Sequence, residues 1–175
     1  NMLSQAEHDE MAAAVLLTPS ETFAQKVAKA IDEQLKTLKR KEIIKKSLRH
    51  YGAIIIVNDL NQAVEMANDF APEHLELMVE DPKEILRQVQ NAGSVFLGPY
   101  TPEALGDYLA GGNHILPTSG TARFSSALGV YDFVKRIGVS SFTREALAKL
   151  GPQTVRFAEM EGLDAHANAV FVRHK

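Results

Sequence analysis

Ala53-Ile54-Ile55-Ile56-Val57, followed directly by Asn58-Asp59-Leu60-Asn61-Gln62, is the stretch that decides the fold. Its unbroken β-branched run reads as a strand. Asp59 then supplies a side-chain oxygen for a helix N-terminus, with Gln62 three residues on. The helix carries Ala63, Val64 and Ala67, and Pro72 closes it. A strand followed at once by a helix is the unit of an α/β domain.

The same grammar extends in both directions. Upstream, Ala13 to Thr18 reads as a buried strand. Thr18-Pro19-Ser20-Glu21 reads as a helix start, with Thr18 as cap and Glu21 in the capping-box position. Phe23, Val27, Ile31 and Leu35 then make one apolar face. A second helix is expected over Lys39 to Tyr51, stopped by Gly52. Downstream, Leu75 to Val79 and Ser94 to Leu97 read as strands. Between them Asp81-Pro82-Lys83-Glu84 opens a helix that Gly93 closes. This alternation predicts an α/β fold, a mainly parallel sheet with helices on both faces.

From Gly98 to Ser126 the composition shifts to Gly, Pro, Thr and Ser, and a long irregular segment is expected. Loops of this length inside a compact domain usually carry function. Beyond it a short helix near Leu128 to Lys135, a strand over Ile137 to Phe142, and helices over Thr143 to Leu150 and Pro152 to Glu161 are expected. The tail reads as extended through AVFVRHK. A boundary near Lys135 separates residues 1–135 from a small helical appendage, residues 136–175.

Composition narrows the partners. The 175 residues carry 19 basic and 22 acidic side chains, a formal net charge of −3. That balance gives no electrostatic reason to expect nucleic acid or an anionic membrane. The basic stretch Lys36 to Arg49 reads as a charged helix face. There is no cysteine, so disulfides and thiolate metal sites are excluded. The longest apolar run is far too short for a bilayer. The segment starting at Asn1 lacks the features of a signal peptide. A cytoplasmic setting fits, and a plastid one would need a transit peptide ahead of Asn1.

Four groups of residues can carry chemistry. Gln5 and His8, three apart in SQAEH, share a helical face and can share a metal, or can be two surface residues. Glu73 and His74 follow Pro72; a carboxylate beside an imidazole suits proton transfer near neutrality, or the pair marks a surface turn. Asp107 and His114 lie in GDYLAGGNHILPT, where Gly111 and Gly112 allow close backbone approach. They read either as part of one constellation or as a cap and a structural histidine. Glu161 and His166 flank Gly162 and face solvent or a partner chain. His50 and His174 read as solvated. No HExxH, GxSxG, Walker loop or GxGxxG is present.

Taken together, SQAEH (4–8), APEHLEL (71–77), GDYLAGGNHILPTSGTARFSS (106–126) and EGLDAHANAV (161–170) resemble histidinol dehydrogenase, over essentially the whole chain. The resemblance implies a zinc site formed by Gln5, His8 and Asp107, with His166 supplied by the neighbouring subunit of a homodimer. It implies Glu73 and His74 as the catalytic proton acceptors. Tyr108 and His114 would wall the substrate, and Glu161 would touch it near the dimer seam. Gln5, His8, His74, Asp107 and His166 would also contact it.

The implied reaction oxidises L-histidinol to L-histidine through L-histidinaldehyde, consuming two NAD in turn. The family's chains are longer, with an amino-terminal part that includes a Rossmann-like cofactor domain. The resemblance therefore implies a carboxyl-terminal portion: residues 1–135 as the second half of the main, incomplete Rossmann-like domain, and residues 136–175 as a dimerisation and active-site tail. The fragment by itself is expected to be inactive. Two other readings remain: a different zinc-dependent amino-alcohol dehydrogenase on this scaffold, and a non-catalytic α/β fragment that only dimerises.

Overall fold

The structure, a computed structural model, describes residues 1–173. Its contacts divide the chain into two units, Asn1–Val134 and Lys135–Lys175.

The first unit is α/β, and both of its strand pairs are parallel. Strand β1 (Ala14–Thr18) pairs with β2 (Gly52–Ile56), in register from Ala14 opposite Gly52 to Thr18 opposite Ile56. The crossover between them is two helices, α2 (Glu21–Leu35) and α3 (Lys41–Tyr51). A short helix, α1 (Met2–Ala6), precedes β1. Parallel neighbours require such a crossover because the chain must return to the starting edge. Leu3 and Ala6 of α1 and Ile44 of α3 form a buried core, joined by Ile31, Leu35, Leu38 and Leu48. Ser47 is also fully buried, and its hydroxyl donates to the Ala12 carbonyl at 2.7 Å.

Strand β3 (His74–Leu77) pairs with β4 (Ser94–Leu97) through α5 (Pro82–Leu86). Helix α4 (Leu60–Phe70) leads into this half, and its N-cap Asp59 accepts from the Gln62 amide at 2.8 Å. The sequence points to one mainly parallel sheet; among the described residues the strands instead form two separate two-stranded sheets. The alternation read correctly, but which strands share hydrogen bonds is not encoded in any one strand's composition.

Several local expectations are corrected. The cap of α2 is Ser20, whose Oγ accepts from the Phe23 amide, while Thr18 ends β1. Helix α3 does stop at Gly52, its C-cap, which in extended conformation is also the first residue of β2. α5 ends at Leu86, well before Gly93. The Gly98–Ser126 segment contains a helix, α6 (Glu103–Tyr108), and a 3-10 turn over Thr121–Arg123. The helix expected near Leu128 is a 3-10 turn, Val130–Phe133.

The second unit is helical. Residues 137–142 form no strand; Ile137, Val139 and Phe142 are exposed and pair with no sheet among the described residues. Helix α7 (Arg144–Met160) runs through Pro152, where two helices are expected. A proline removes one intrahelical bond. Packing against α8 (Asp164–Phe171), which buries Ala158 and Ala167, outweighs that loss. α8 itself replaces the extended tail, because the alanines of DAHANAVF favour helix more than its valine and phenylalanine favour strand. His174 lies outside the described residues.

Candidate functional site

The site is built where β3 and α6 face each other. Residues two apart on a strand point the same way, about 6.7 Å apart. Residues four apart on a helix share a face, separated by about 6 Å along the axis. These spacings match, so His74 and Glu76 on β3 face Asp107 and Glu103 on α6. His74 Nε2 lies 3.8 Å from Asp107 Oδ1. The Glu103 amide donates to Glu76 Oε1 at 3.0 Å.

Two glycines make the approach possible. A Cβ on Gly106 would stand 2.4 Å from Cε1 of Phe96, so with any other residue there either the ring or α6 would have to move. A Cβ on Gly93 would meet the Glu73 carbonyl at 2.6 Å; without one, Gly93 and Ser94 donate to the Pro72 and Glu73 carbonyls at 2.9 and 2.8 Å. The Phe96 ring also packs against the His74 imidazole, centroids 5.9 Å apart and tilted by 47°. Thr101 fixes the turn into α6 by donating its hydroxyl to the Leu97 carbonyl at 2.9 Å.

The polar groups gathered here are only partly satisfied. The His74 side chain is 13% exposed, and neither ring nitrogen has a hydrogen-bond partner among the described residues. A neutral imidazole presents one basic nitrogen, so this ring can accept a proton from a group placed beside it. Asp107 is similarly buried, and its Oδ1 lies 3.0 Å from His114 Nδ1; the His114 side chain is more than half exposed. Glu103 is buried, with its Oε1 unpartnered among the described residues. Burial pushes its carboxyl up to about 7, helped by a hydrogen bond to Asp107 and by the charges of Asp107, Glu76 and Glu73. One ligand atom each from His8, Glu103 and Asp107 lies within 4.8 Å of the others. An imidazole nitrogen and two carboxylate oxygens are donors suited to a divalent cation such as zinc. The orphaned Glu103 oxygen is a group that a cation would satisfy.

The first unit thus brings together His8, His74, Asp107 and His114. His8 sits in the turn just past α1, its amide bonded to the Gln5 carbonyl at 3.4 Å, while Gln5 is on the helix itself. Glu73 is half-buried immediately before β3. Tyr108, next to Asp107, is 80% exposed. Glu161 caps the C-terminus of α7 and His166 lies on α8, both exposed in the second unit. The residue that sequence reasoning missed is Glu103. Its spacing of four from Asp107 was the available signal, since on a helix that places both carboxylates on one face.

The family profile described as histidinol dehydrogenase matches residues 1–174. The histidinol dehydrogenase of Caldanaerobacter subterraneus subsp. tengcongensis is 55% identical over 173 residues, 99% of this chain and 40% of that protein. That of Syntrophotalea carbinolica is 54% identical over 100% of this chain and 41% of its own length. The crystal structure of histidinol dehydrogenase from Elizabethkingia anophelis superposes with a TM-score of 0.92 at 37% identity, covering 98% of this chain and 40% of that one. The chain spans about 40% of the length of the curated relatives it matches. With the profile running from the first residue almost to the last, this chain belongs to the histidinol dehydrogenase family.

Proposed function

We propose that this chain contributes the metal and proton-transfer half of a histidinol dehydrogenase, an oxidoreductase of histidine biosynthesis that takes L-histidinol through L-histidinaldehyde to L-histidine. The observation that carries the reading is His74, buried with both ring nitrogens unpartnered among the described residues, 3.8 Å from Asp107 in a cluster that includes His8. An unpartnered imidazole in such a place is poised to take a proton.

Gln5, His8 and Asp107 would hold a zinc ion, with His166 supplied by the neighbouring subunit of a homodimer. When bound, zinc supplies a positive point that orients a substrate's imidazole and amine. NAD supplies the hydride acceptor, and no residue of this chain is assigned to it. His74 takes the proton of the substrate hydroxyl. Glu73, adjacent in sequence and half-buried, removes a proton from the water that adds to the aldehyde. Asp107 keeps His74 and His114 facing the same space. His114 and Tyr108 line its exposed rim, and Glu161 reaches the substrate from the neighbouring subunit. The chain alone does not turn over histidinol, because it spans only about 40% of its relatives.

The test is NADH formation from L-histidinol by the intact protein carrying this chain. Two NADH per histidinol, lost on chelation and restored by zinc, are expected. Turnover that survives full metal removal would overturn the metal assignment. No turnover with histidinol, but oxidation of another amino alcohol, would overturn the substrate.

A further inference from the structure

We propose that Asn68 is a positioning residue for the proton acceptors: its bonds to residues 88–91 set the turn that places Glu73 and His74. This rests on the proton-transfer reading above and names a residue outside the site that serves it.

Asn68 lies on the last turn of α4, and its carboxamide is used from both ends. Oδ1 accepts from the Gln90 amide at 2.7 Å and from the Asn91 amide at 3.2 Å, and Nδ2 donates to the Gln88 carbonyl at 3.0 Å. Asn91 returns the contact, its Nδ2 donating to the Asn68 carbonyl at 3.0 Å. Asparagine can do this because one short planar group carries both an acceptor and a donor. The contacts couple the end of α4 to the stretch between α5 and β4.

A second set of bonds lies just beyond. The Gly93 and Ser94 amides donate to the Pro72 and Glu73 carbonyls. Between the two sets sits Ala71, fully buried, with φ 52° and ψ 64°. A β-carbon makes that left-handed conformation unfavourable, and glycine or asparagine usually occupies it at a helix end. Pro72 disfavours the alternative of continuing the helix through Ala71. The choice left is between an extended and a left-handed Ala71, and the contacts on either side decide it. With Asn68 fixed to residues 88–91 and Glu73 fixed to Ser94, the left-handed turn bridges them. The strain at Ala71 is therefore held from outside. Releasing Asn68 lets the turn relax, and Glu73 and His74, which follow within three residues, shift against Asp107.

The test is a double-mutant cycle on the intact protein carrying this chain, read as kcat and KM for L-histidinol in NADH formation. Asn68→Ala is expected to lower kcat by about tenfold to a hundredfold, the effect of displacing a catalytic group by about 1 Å. KM should change by less than about threefold, since ground-state binding is not what is lost. In a His74→Asn background no basic imidazole is left to displace, and the same substitution is expected to change kcat by less than about twofold. Asn68→Asp keeps both accepting positions and loses only the donation to Gln88, so it is expected to lose less than Asn68→Ala. Equal losses in both backgrounds would give Asn68 a purely structural role and overturn the proposal, as would a wild-type kcat in Asn68→Ala. A His74→Asn protein with full activity would overturn the proton-transfer reading, and the proposal with it. Should Asn68→Ala not fold, as judged by circular dichroism, Asn91→Ala takes its place in the cycle. It removes the bond to the Asn68 carbonyl, and a loss of kcat confined to the background with His74 supports the proposal. No loss, or an equal loss in both backgrounds, overturns it.

Discussion

His74 Nε2 and Asp107 Oδ1 stand 3.8 Å apart, one at the first position of a strand and the other near the end of a six-residue helix thirty-three positions later. The pair is the point at which the two elements are registered. Displacing α6 along β3 by one helical turn would put Glu103 where Asp107 now faces His74.

Replacing His74 by asparagine keeps a polar side chain at the start of β3 but removes the basic nitrogen. Histidinol oxidation by the intact protein is expected to fall by about 10² to 10⁴ in kcat, the usual contribution of a positioned general base. Cobalt affinity should be nearly unchanged, since His74 is outside the proposed ligand set. Steady-state NADH formation beside cobalt titration separates the two effects.

Gly106→Ala tests the close approach of α6. The new methyl group would sit 2.4 Å from the Phe96 ring, so either the ring or the helix must move. A loss of about 1–3 kcal/mol in stability is expected from overpacking of this kind. Because Glu103 and Asp107 ride on the same helix, cation affinity should fall as well. Urea denaturation with cobalt titration measures both; unchanged values in each would show that α6 is free to shift.

The pH dependence of metal-free stability has a defined sign. The Glu103 carboxyl titrates near 4.5 when unfolded and near 7 in the fold, raised chiefly by burial. The folded chain therefore keeps a proton that the unfolded chain releases over that interval. Its stabilising contribution is complete below pH 4.5 and disappears as pH rises through 7. In chelator, the urea midpoint is expected to fall between pH 5 and pH 8. In Glu103→Gln, which carries no titrating group at this position, the fall should be smaller. An identical pH profile in both proteins would place the titration elsewhere.

Ser47→Ala probes the core away from the site. Its hydroxyl is buried and donates to the Ala12 carbonyl just before β1. Removing it leaves that carbonyl unpaired, at a cost of about 1–3 kcal/mol. A reduced urea midpoint with unaltered cobalt affinity is expected.

The sequence by itself determined the α/β class, because β-branched runs such as Ala53–Val57 and cap signals such as Asp59 with Gln62 are local properties of a few neighbouring residues. It also carried, through its four motifs, the family and most of the candidate site residues. Only the tertiary structure decided that the strands pair as two separate sheets, that residues 137–142 find no strand partner, and that α7 runs through Pro152. It alone brought Glu103 into the site. The physical reason is that pairing, burial and helix–strand register depend on contacts between residues far apart in the chain. A glutamate becomes a ligand candidate only when the fold takes away its water and surrounds it with other donors.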